Sequence, residues 1–242
     1  MSVIYILYIV VCALFLPVVI WGICAQINIQ STYRKFSENP SSGGYTADAV
    51  AKLILEKNGL ANMDIVQTKG NLTDHYDPRK KHIALSESVF GNTSIAAIGV
   101  AAHECGHAVQ DKEKYFPMII RRSLVPVVNL MSAMFVPLML VGVILQAFSY
   151  AFGAWFVYFA IAFYALSTLF YLITLPVEFN ASRRALKTIK EMNILTDSEL
   201  DGARQVLRAA AMTYVVAFLT SLLYFLEFAL RILMIVFSSK RK

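Results

Sequence analysis

Charged residues are scarce in this chain of 242 residues, at 16% against about 25% in ordinary soluble domains. Hydrophobic residues make up 57% of the chain, and the mean hydropathy is +0.58. This balance argues against both a soluble globular protein and an intrinsically disordered one. Only three cysteines are present, and their positions suggest no disulfide framework, which is typical of a reducing compartment.

Two long stretches, residues 3–27 and 124–175, contain no charged side chain at all. About 20 apolar residues span a bilayer, so the first stretch predicts one transmembrane helix and the second predicts two. The first stretch also lacks the positive flank and small-residue cleavage site of a signal peptide. A last apolar stretch contains Glu227 and Arg231, four residues apart, which we expect to pair with each other.

The predicted organisation therefore has six parts. They are transmembrane helix 1 (1–27), a polar part (28–123), a transmembrane hairpin (124–175), a further polar helix with a linker (176–210), transmembrane helix 4 (211–237) and a basic tail (238–242).

The polar segment 28–123 has local signals of mixed structure. Thr46 is a good N-cap for a helix over Ala47–Asn58, and a second helix is expected from Thr93 or Ser94 to Lys114. Short strands are predicted at Asp64–Gln67 and Lys81–Leu85, with a turn over Asn71–Arg79. The fold class predicted is mainly α, a multi-pass membrane protein with a small α+β part.

The distribution of basic residues predicts an orientation. Eighteen of the 22 Lys and Arg residues lie in 28–123 and 176–210, which four spans place on one side of the membrane. Positive charge favours the cytoplasmic side, so we expect this part in the cytoplasm. The tail at 240–242 contradicts this rule unless the last stretch does not fully cross. We read the net charge of +6 as loop charge, and predict no nucleic-acid partner.

The most specific motif is HExxH at residues 103–107. Residues four apart share a helix face, so His103 and His107 can bind one ion while Glu104 acts on water. Neutral imidazoles with a carboxylate suit zinc, and the motif predicts a zinc hydrolase. Cys105 would point away from the ion and serve as a packing residue.

A catalytic zinc needs a third protein ligand. The metzincin pattern fails, because Glu113 stands where its third histidine would be. Glu178 is better placed, at the start of a helix expected just after Pro176, although an acid there could also simply favour the helix dipole. Glu113 and Asp111 are the fallback ligands.

Three segments together resemble the YugP-type neutral zinc metallopeptidases, which are bacterial membrane proteins, over nearly the whole chain. The segments are LTDHYDPR at 72–79, AAHECGHAVQ at 101–110 and EFNASRRAL at 178–186. The chain is more distantly similar to HtpX-like and CAAX-prenyl endopeptidases, which usually have Asp at the position of Ser182.

The resemblance implies a zincin-like, gluzincin-type peptidase part in a multi-pass cell-membrane protein. It implies one zinc per chain, held by His103, His107 and Glu178, with Glu104 as the catalytic acid/base. With the orientation that the basic residues predict, the active site faces the cytoplasm. The resemblance says little about the substrate. We expect a membrane-associated protein or peptide and a role in membrane-protein quality control, because the site is tethered where damaged membrane proteins present loops. An oligomer or a membrane partner protein stays open.

Five further residues are candidates for supporting roles. They could stabilise the oxyanion of the transition state or hydrogen-bond the zinc ligands, and they are His75, Tyr214, Ser182, Asn180 and Arg183. We also interpret Lys81–Ser86 as an edge strand that pairs with an extended substrate.

Two other classes compete with a peptidase. One is a non-proteolytic zinc-binding membrane scaffold, and the other is a transporter. The transporter is disfavoured because Glu227 and Arg231 are the only charges within the apolar stretches.

Overall fold

The computed structural model describes residues 3–148 and 152–239, in six helices and three strands within those ranges. The helices are α1 Val3–Ser37, α2 Ala47–Lys57, α3 Ile95–Lys112, α4 Phe116–Ala147, α5 Gly153–Glu191 and α6 Asp197–Ser239; the strands are β1 Asp64–Thr68, β2 His75–Asp77 and β3 His82–Ser86. The mainly helical class is confirmed. The centre of the predicted hairpin turn and residues 240–242 of the basic tail lie outside the described residues.

The chain divides into two compact units. The polar unit comprises residues 25–119 and 175–213, and the membrane unit comprises the described parts of 3–24, 120–174 and 214–239. Helices α1, α4, α5 and α6 each have one part in the polar unit and another part in the membrane unit.

The polar unit is built on local signals that the sequence predicts correctly. The Thr46 hydroxyl accepts from the Ala49 amide at 3.4 Å and begins α2, and the Ser94 hydroxyl accepts from Ala97 at 3.2 Å and begins α3. The two helices pack on a shared core with β3 and with parts of α5 and α6. Fully buried members of this core include Ile54, Ile83, Ile98, Ile189 and Val206.

The sheet of the polar unit differs from the prediction in two ways. Its order is β1-β3-β2, with β1 parallel and β2 antiparallel to β3. The predicted turn at 71–79 contains β2, because the Asp74 carboxylate accepts from the Ser86 amide at 2.7 Å and holds this segment against β3. Since β3 is the middle strand, the expectation that Lys81–Ser86 is an edge is wrong.

Helix α5 passes through Pro176 without a break, so the expectation that a new helix starts after this proline is wrong. Proline removes one backbone donor, but packing can hold the helix across it. Val177, Ala181, Ala185 and Ile189 are all buried and lie four residues apart, which gives the segment after the proline a continuous buried face. Glu178 is therefore an interior helix residue.

The membrane unit contains the apolar parts of four helices, each long and apolar enough to cross a bilayer. In each of these helices, large apolar side chains among the described residues point outward, and examples are Leu16, Leu130 and Trp155. A few polar contacts join the helices: Thr168 and Ser221 hydroxyls lie 2.7 Å apart, and the Tyr8 hydroxyl donates to Glu227 at 3.4 Å. Arg231 pairs with Glu227, as predicted from their spacing.

Candidate metal centre

Three donor groups converge inside the polar unit. Helix α3 presents His103 and His107, one turn apart on the same face, and α5 presents Glu178. The Glu178 Oε2 atom lies 3.3 Å from His103 Nε2 and 3.6 Å from His107 Nε2. All three donor atoms fall within 4.8 Å of one another, so this cluster could hold a metal ion.

The separation of the carboxylate from each imidazole fits a tetrahedral zinc ion. Ligand atoms at about 2.0–2.1 Å from a tetrahedral centre lie about 3.3–3.4 Å from each other. The two observed separations from the carboxylate, 3.3 and 3.6 Å, bracket that value. Two imidazole nitrogens and one carboxylate oxygen also form a common donor set of catalytic zinc sites, leaving the fourth position for water or substrate.

The helices α3 and α5 can approach because one residue of α3 has no side chain. A Cβ atom on Gly106 would lie 2.6 Å from the backbone oxygen of Ala181, which is inside van der Waals contact. Gly106 stands immediately before His107, and Ala181 lies one turn after Glu178. The close contact therefore sets the separation of the ligand-bearing helices at the level of the ligands.

The second nitrogen of each imidazole also has a partner. His103 Nδ1 lies 3.1 Å from the Ser182 hydroxyl, and His107 Nδ1 lies 3.0 Å from Gln110 Oε1. Gln110 is fully buried and reaches across to α5, where Nε2 donates to the Val177 oxygen at 2.8 Å and to Asn180 Oδ1 at 2.9 Å. Such contacts orient metal-binding imidazoles.

Glu104 lies beside the three donors and is almost completely buried. Burial raises the pKa of Glu104 to about 7, and the negative charges of Glu178 and Asp74 act in the same direction. The charge of His103 and a hydrogen bond from the Tyr76 amide oppose this rise without cancelling it. A carboxyl group with a pKa near neutrality can both accept and donate a proton.

Glu178 experiences the opposite balance. Burial by itself would raise the pKa of this carboxyl, but hydrogen bonds and positive charge from His103 and His107 hold it well below its usual range. Glu178 is therefore ionised in its buried position, as a metal ligand must be.

The fallback ligands lie in other contacts. Glu113 forms an ion pair with Arg184 at 2.7 Å, and Asp111 accepts from the Tyr76 hydroxyl at 3.0 Å. Neither belongs to the donor cluster found among the described residues. Cys105 is fully buried with its thiol 3.6 Å from the Ala51 oxygen, which agrees with its predicted packing role.

The supporting candidates separate into those near the donors and those elsewhere. Ser182 contacts His103 directly, and Asn180 reaches His107 through Gln110. His75 is exposed on β2, with Nδ1 2.9 Å from the Thr73 oxygen, and Arg183 is exposed on α5. Tyr214 belongs to the membrane unit and is half-buried there.

Sequence reasoning did not assign a role to Gln110, Gly106 or Asp74, which the structure places in structural contacts around the donors. Gln110 had a usable signal, because it lies three residues after His107 and therefore on the same helix face. The partners of Gly106 and Asp74 lie 75 and 12 residues further along the chain. Helical spacing alone could not have shown these contacts.

Comparison with known proteins agrees with this geometry. Residues 11–234 match the model of the family described as "Putative neutral zinc metallopeptidase". The chain is 40% identical over 219 residues to "Putative membrane protease YugP" of Bacillus subtilis (strain 168), covering 90% of this chain and 95% of that protein. No solved structure matches the chain. The family match spans nearly the whole sequence and includes all three donors, so the chain belongs to the neutral zinc metallopeptidase family that this model describes.

Proposed function

We propose that this membrane metallopeptidase is a zinc-dependent endopeptidase of gluzincin type, which holds one zinc ion through His103, His107 and Glu178. The observation that carries the proposal is the convergence of these three donors within 4.8 Å of one another in the interior of the polar unit. Family membership supplies the reaction class, and the buried carboxyl of Glu104 supplies a proton carrier next to the donors.

Zinc bound at these donors would supply Lewis acidity for the peptide carbonyl and would make water more acidic. The protein's own contribution is the transfer of a proton. The Glu104 carboxylate takes a proton from the attacking water and later gives it to the leaving amine nitrogen. Burial favours the protonated carboxyl that the second step needs, and the positive charge of zinc at the neighbouring donors would favour the ionised carboxylate that the first step needs.

The substitution Glu104→Gln tests this mechanism. The amide keeps the size of the side chain but cannot accept the proton, so we expect unchanged zinc content and at least about a hundredfold loss of turnover. Zinc is measured by elemental analysis of detergent-purified protein. Turnover is measured with an unstructured protein such as labelled casein, with chelator treatment and zinc re-addition as a control.

Two results would overturn the peptidase proposal. Equal turnover in Glu104→Gln and wild type would remove Glu104 from the reaction. A wild type that holds zinc but cleaves neither casein nor solubilised membrane proteins would favour the non-proteolytic zinc scaffold.

The substrate would bind in extended form along β2, which replaces β3 as the candidate edge strand. The Tyr76 amide on this strand donates to Glu104, so β2 runs next to the proposed proton carrier. Main-chain hydrogen bonds of this kind favour extended peptides with little sequence preference. The test uses a peptide that the enzyme cleaves and the same peptide with N-methyl groups on the residues flanking the scissile bond. The methylated peptide should be cut at least about ten times more slowly than the unmodified one, and equal rates would contradict this binding mode.

The polar unit would face the cytoplasm, where loops of damaged membrane proteins are accessible for quality control. The support is the concentration of basic residues in 28–123 and 176–210. A Lys69→Cys variant in a background with Cys12 and Cys24 replaced by Ser tests this orientation, since Lys69 is exposed and Cys105 is buried. An impermeant maleimide should label it only after the cells are permeabilised. Labelling in intact cells would contradict the cytoplasmic placement of the polar unit.

A further inference from the structure

The two imidazoles of the donor cluster are held by chemically different partners. The partner of His103 Nδ1 is the Ser182 hydroxyl, which can either donate or accept. The partner of His107 Nδ1 is one end of the Gln110 amide, whose oxygen can only accept and whose nitrogen can only donate. The orientation of the Gln110 amide therefore decides whether His107 Nδ1 carries a hydrogen.

The surrounding hydrogen bonds fix that orientation. Arg184 has only donors, and its Nε lies 2.7 Å from Asn180, so the Asn180 atom in this contact is the amide oxygen. This oxygen also accepts from Gln110 at 2.9 Å, and the Val177 carbonyl accepts from Gln110 at 2.8 Å. Both contacts require the Gln110 nitrogen, so both of its hydrogens are used.

The remaining Gln110 atom, its oxygen, faces His107 at 3.0 Å. A carbonyl oxygen cannot donate, so His107 Nδ1 carries a hydrogen and donates it to Gln110. The other ring nitrogen, Nε2, lies 3.6 Å from the Glu178 carboxylate and is the atom left to bind a metal. Gln110 thus fixes which nitrogen of His107 serves the donor cluster.

The far end of this chain of contacts is also anchored. Arg184 pairs with Glu113 at 2.7 Å, and Glu113 is the C-cap of α3, the helix that carries His107. The contacts therefore run from α3 to α5 and return to α3. Val177, one acceptor of Gln110, directly precedes Glu178 in the chain. Gln110 thus links two of the proposed zinc ligands, His107 and Glu178.

We propose that Gln110 is a positioning residue for the metal: oriented by Asn180 and Arg184, its amide oxygen keeps a hydrogen on His107 Nδ1 and leaves Nε2 for the metal. The effect on zinc binding rests on the proposed zinc site. The hydrogen bond from His107 Nδ1 is present in the metal-free protein.

Two substitutions separate this role from a purely structural one. Gln110→Met keeps the length and removes every hydrogen bond. Gln110→Glu keeps an acceptor for His107 Nδ1 but loses both donated bonds to α5. We expect Met to weaken zinc binding about 10–100-fold and Glu to keep it near the wild-type value, while both variants lower the stability of the metal-free protein. Zinc affinity is measured by competition with a chromophoric chelator, and stability by thermal unfolding.

The pattern of affinities decides the outcome. The proposal would be overturned if Gln110→Met and Gln110→Glu lost zinc affinity equally and in proportion to their loss of stability. Wild-type zinc affinity in Gln110→Met would also overturn it. The cobalt-substituted proteins give an independent readout, since the visible spectrum reports ligand geometry. We expect an altered spectrum for Met and a wild-type spectrum for Glu, and the reverse would contradict the positioning role.

A measurement on the wild-type protein needs no variant to fold. The chain contains only four histidines, so a sample with ¹⁵N-labelled imidazoles has few signals to assign. In metal-free protein, we expect His107 Nδ1 to carry a hydrogen. An unprotonated Nδ1 would overturn the proposed role of Gln110 even if zinc binds, whereas absence of zinc binding with a protonated Nδ1 would overturn only the proposed function.

Discussion

The polar unit and the membrane unit obtain their order in different ways. The largest fully buried side chains among the described residues all lie in the polar unit, and they include Gln110 and Glu178 beside the aliphatic core. The most apolar windows of the four candidate spans are only 6–28% buried within the protein. The polar unit covers itself, whereas the membrane unit leaves its apolar surface for lipid to cover.

This difference indicates where substitutions should matter. In the polar unit, donor atoms are held by buried hydrogen bonds and by a helix crossing without room for a methyl group. In the membrane unit, outward side chains such as Leu130 meet only lipid, which tolerates changes of shape. The same chemical change should therefore have large effects on zinc binding in one unit and small effects in the other.

The largest effect is expected from Glu178→Ala. Removal of a ligand should lower zinc affinity by more than the roughly 10–100-fold typical of residues that only support ligands, so zinc per protein should fall from about one to near zero. Glu56→Ala is the matched control, because it removes an exposed carboxylate of the same unit that lies outside the donor cluster. Equal zinc in both variants would remove Glu178 from the site and return attention to Glu113 or Asp111.

A smaller effect is expected for glycine-to-alanine changes on α3, and whether the protein becomes less or more stable depends on the position. Gly106→Ala would place a methyl 2.6 Å from the Ala181 oxygen, so the helices must separate, at a cost of about 1–3 kcal/mol. Gly99→Ala, two turns earlier, would place it 3.4 Å from the Ala203 side chain, an ordinary contact. The gain in helix propensity, up to about 1 kcal/mol, should then make this variant more stable.

Thermal unfolding and zinc affinity check this pair together. Gly106→Ala should lower both, and Gly99→Ala should raise the unfolding temperature and leave zinc affinity unchanged. If the two variants behave alike, the close crossing of α3 and α5 does not control the site.

A smaller loss of zinc binding is expected when serine is replaced by alanine in the polar unit. Ser182→Ala removes the hydroxyl that contacts His103 and should weaken zinc binding about tenfold. Ser221→Ala removes the hydroxyl that contacts Thr168 in the membrane unit, and zinc affinity should stay at the wild-type value. Chelator competition on both proteins measures the difference, and a tenfold loss in Ser221→Ala would show that the units are not independent.

Sequence reasoning reached those features that depend on local spacing. The caps at Thr46 and Ser94, the strands near 64–68 and 82–86, and the pairing of Glu227 with Arg231 all follow from residues less than five positions apart. The HExxH motif is also local, because α3 alone brings His103 and His107 to one face.

The missed features depend on contacts between distant parts of the chain. Strand β2 has turn-like composition and is held by Asp74 binding Ser86, and α5 continues through Pro176 because its next turns are packed in the core. The order of the sheet depends on the crossover from β1 to β3, which neither strand encodes by itself. Spacing within one helix could not show that Gln110 reaches Val177, since the contact joins residues 67 positions apart.

The smallest effect is expected at the charged contact of the membrane unit. Tyr8→Phe removes the hydroxyl that donates to Glu227 at 3.4 Å, while the pairing of Glu227 with Arg231 stays intact. Hydrogen bonds between membrane helices contribute about 0.6 kcal/mol on average, so the unfolding temperature in detergent should fall by about 1–2 °C. Tyr5→Phe, on the same helix and exposed, is the control and should not change it. Zinc content should equal that of the wild type in both variants, because neither residue lies in the unit that holds the donors. A loss of zinc in Tyr8→Phe alone would mean that this contact affects metal binding, and the membrane unit would then contribute to the metal centre.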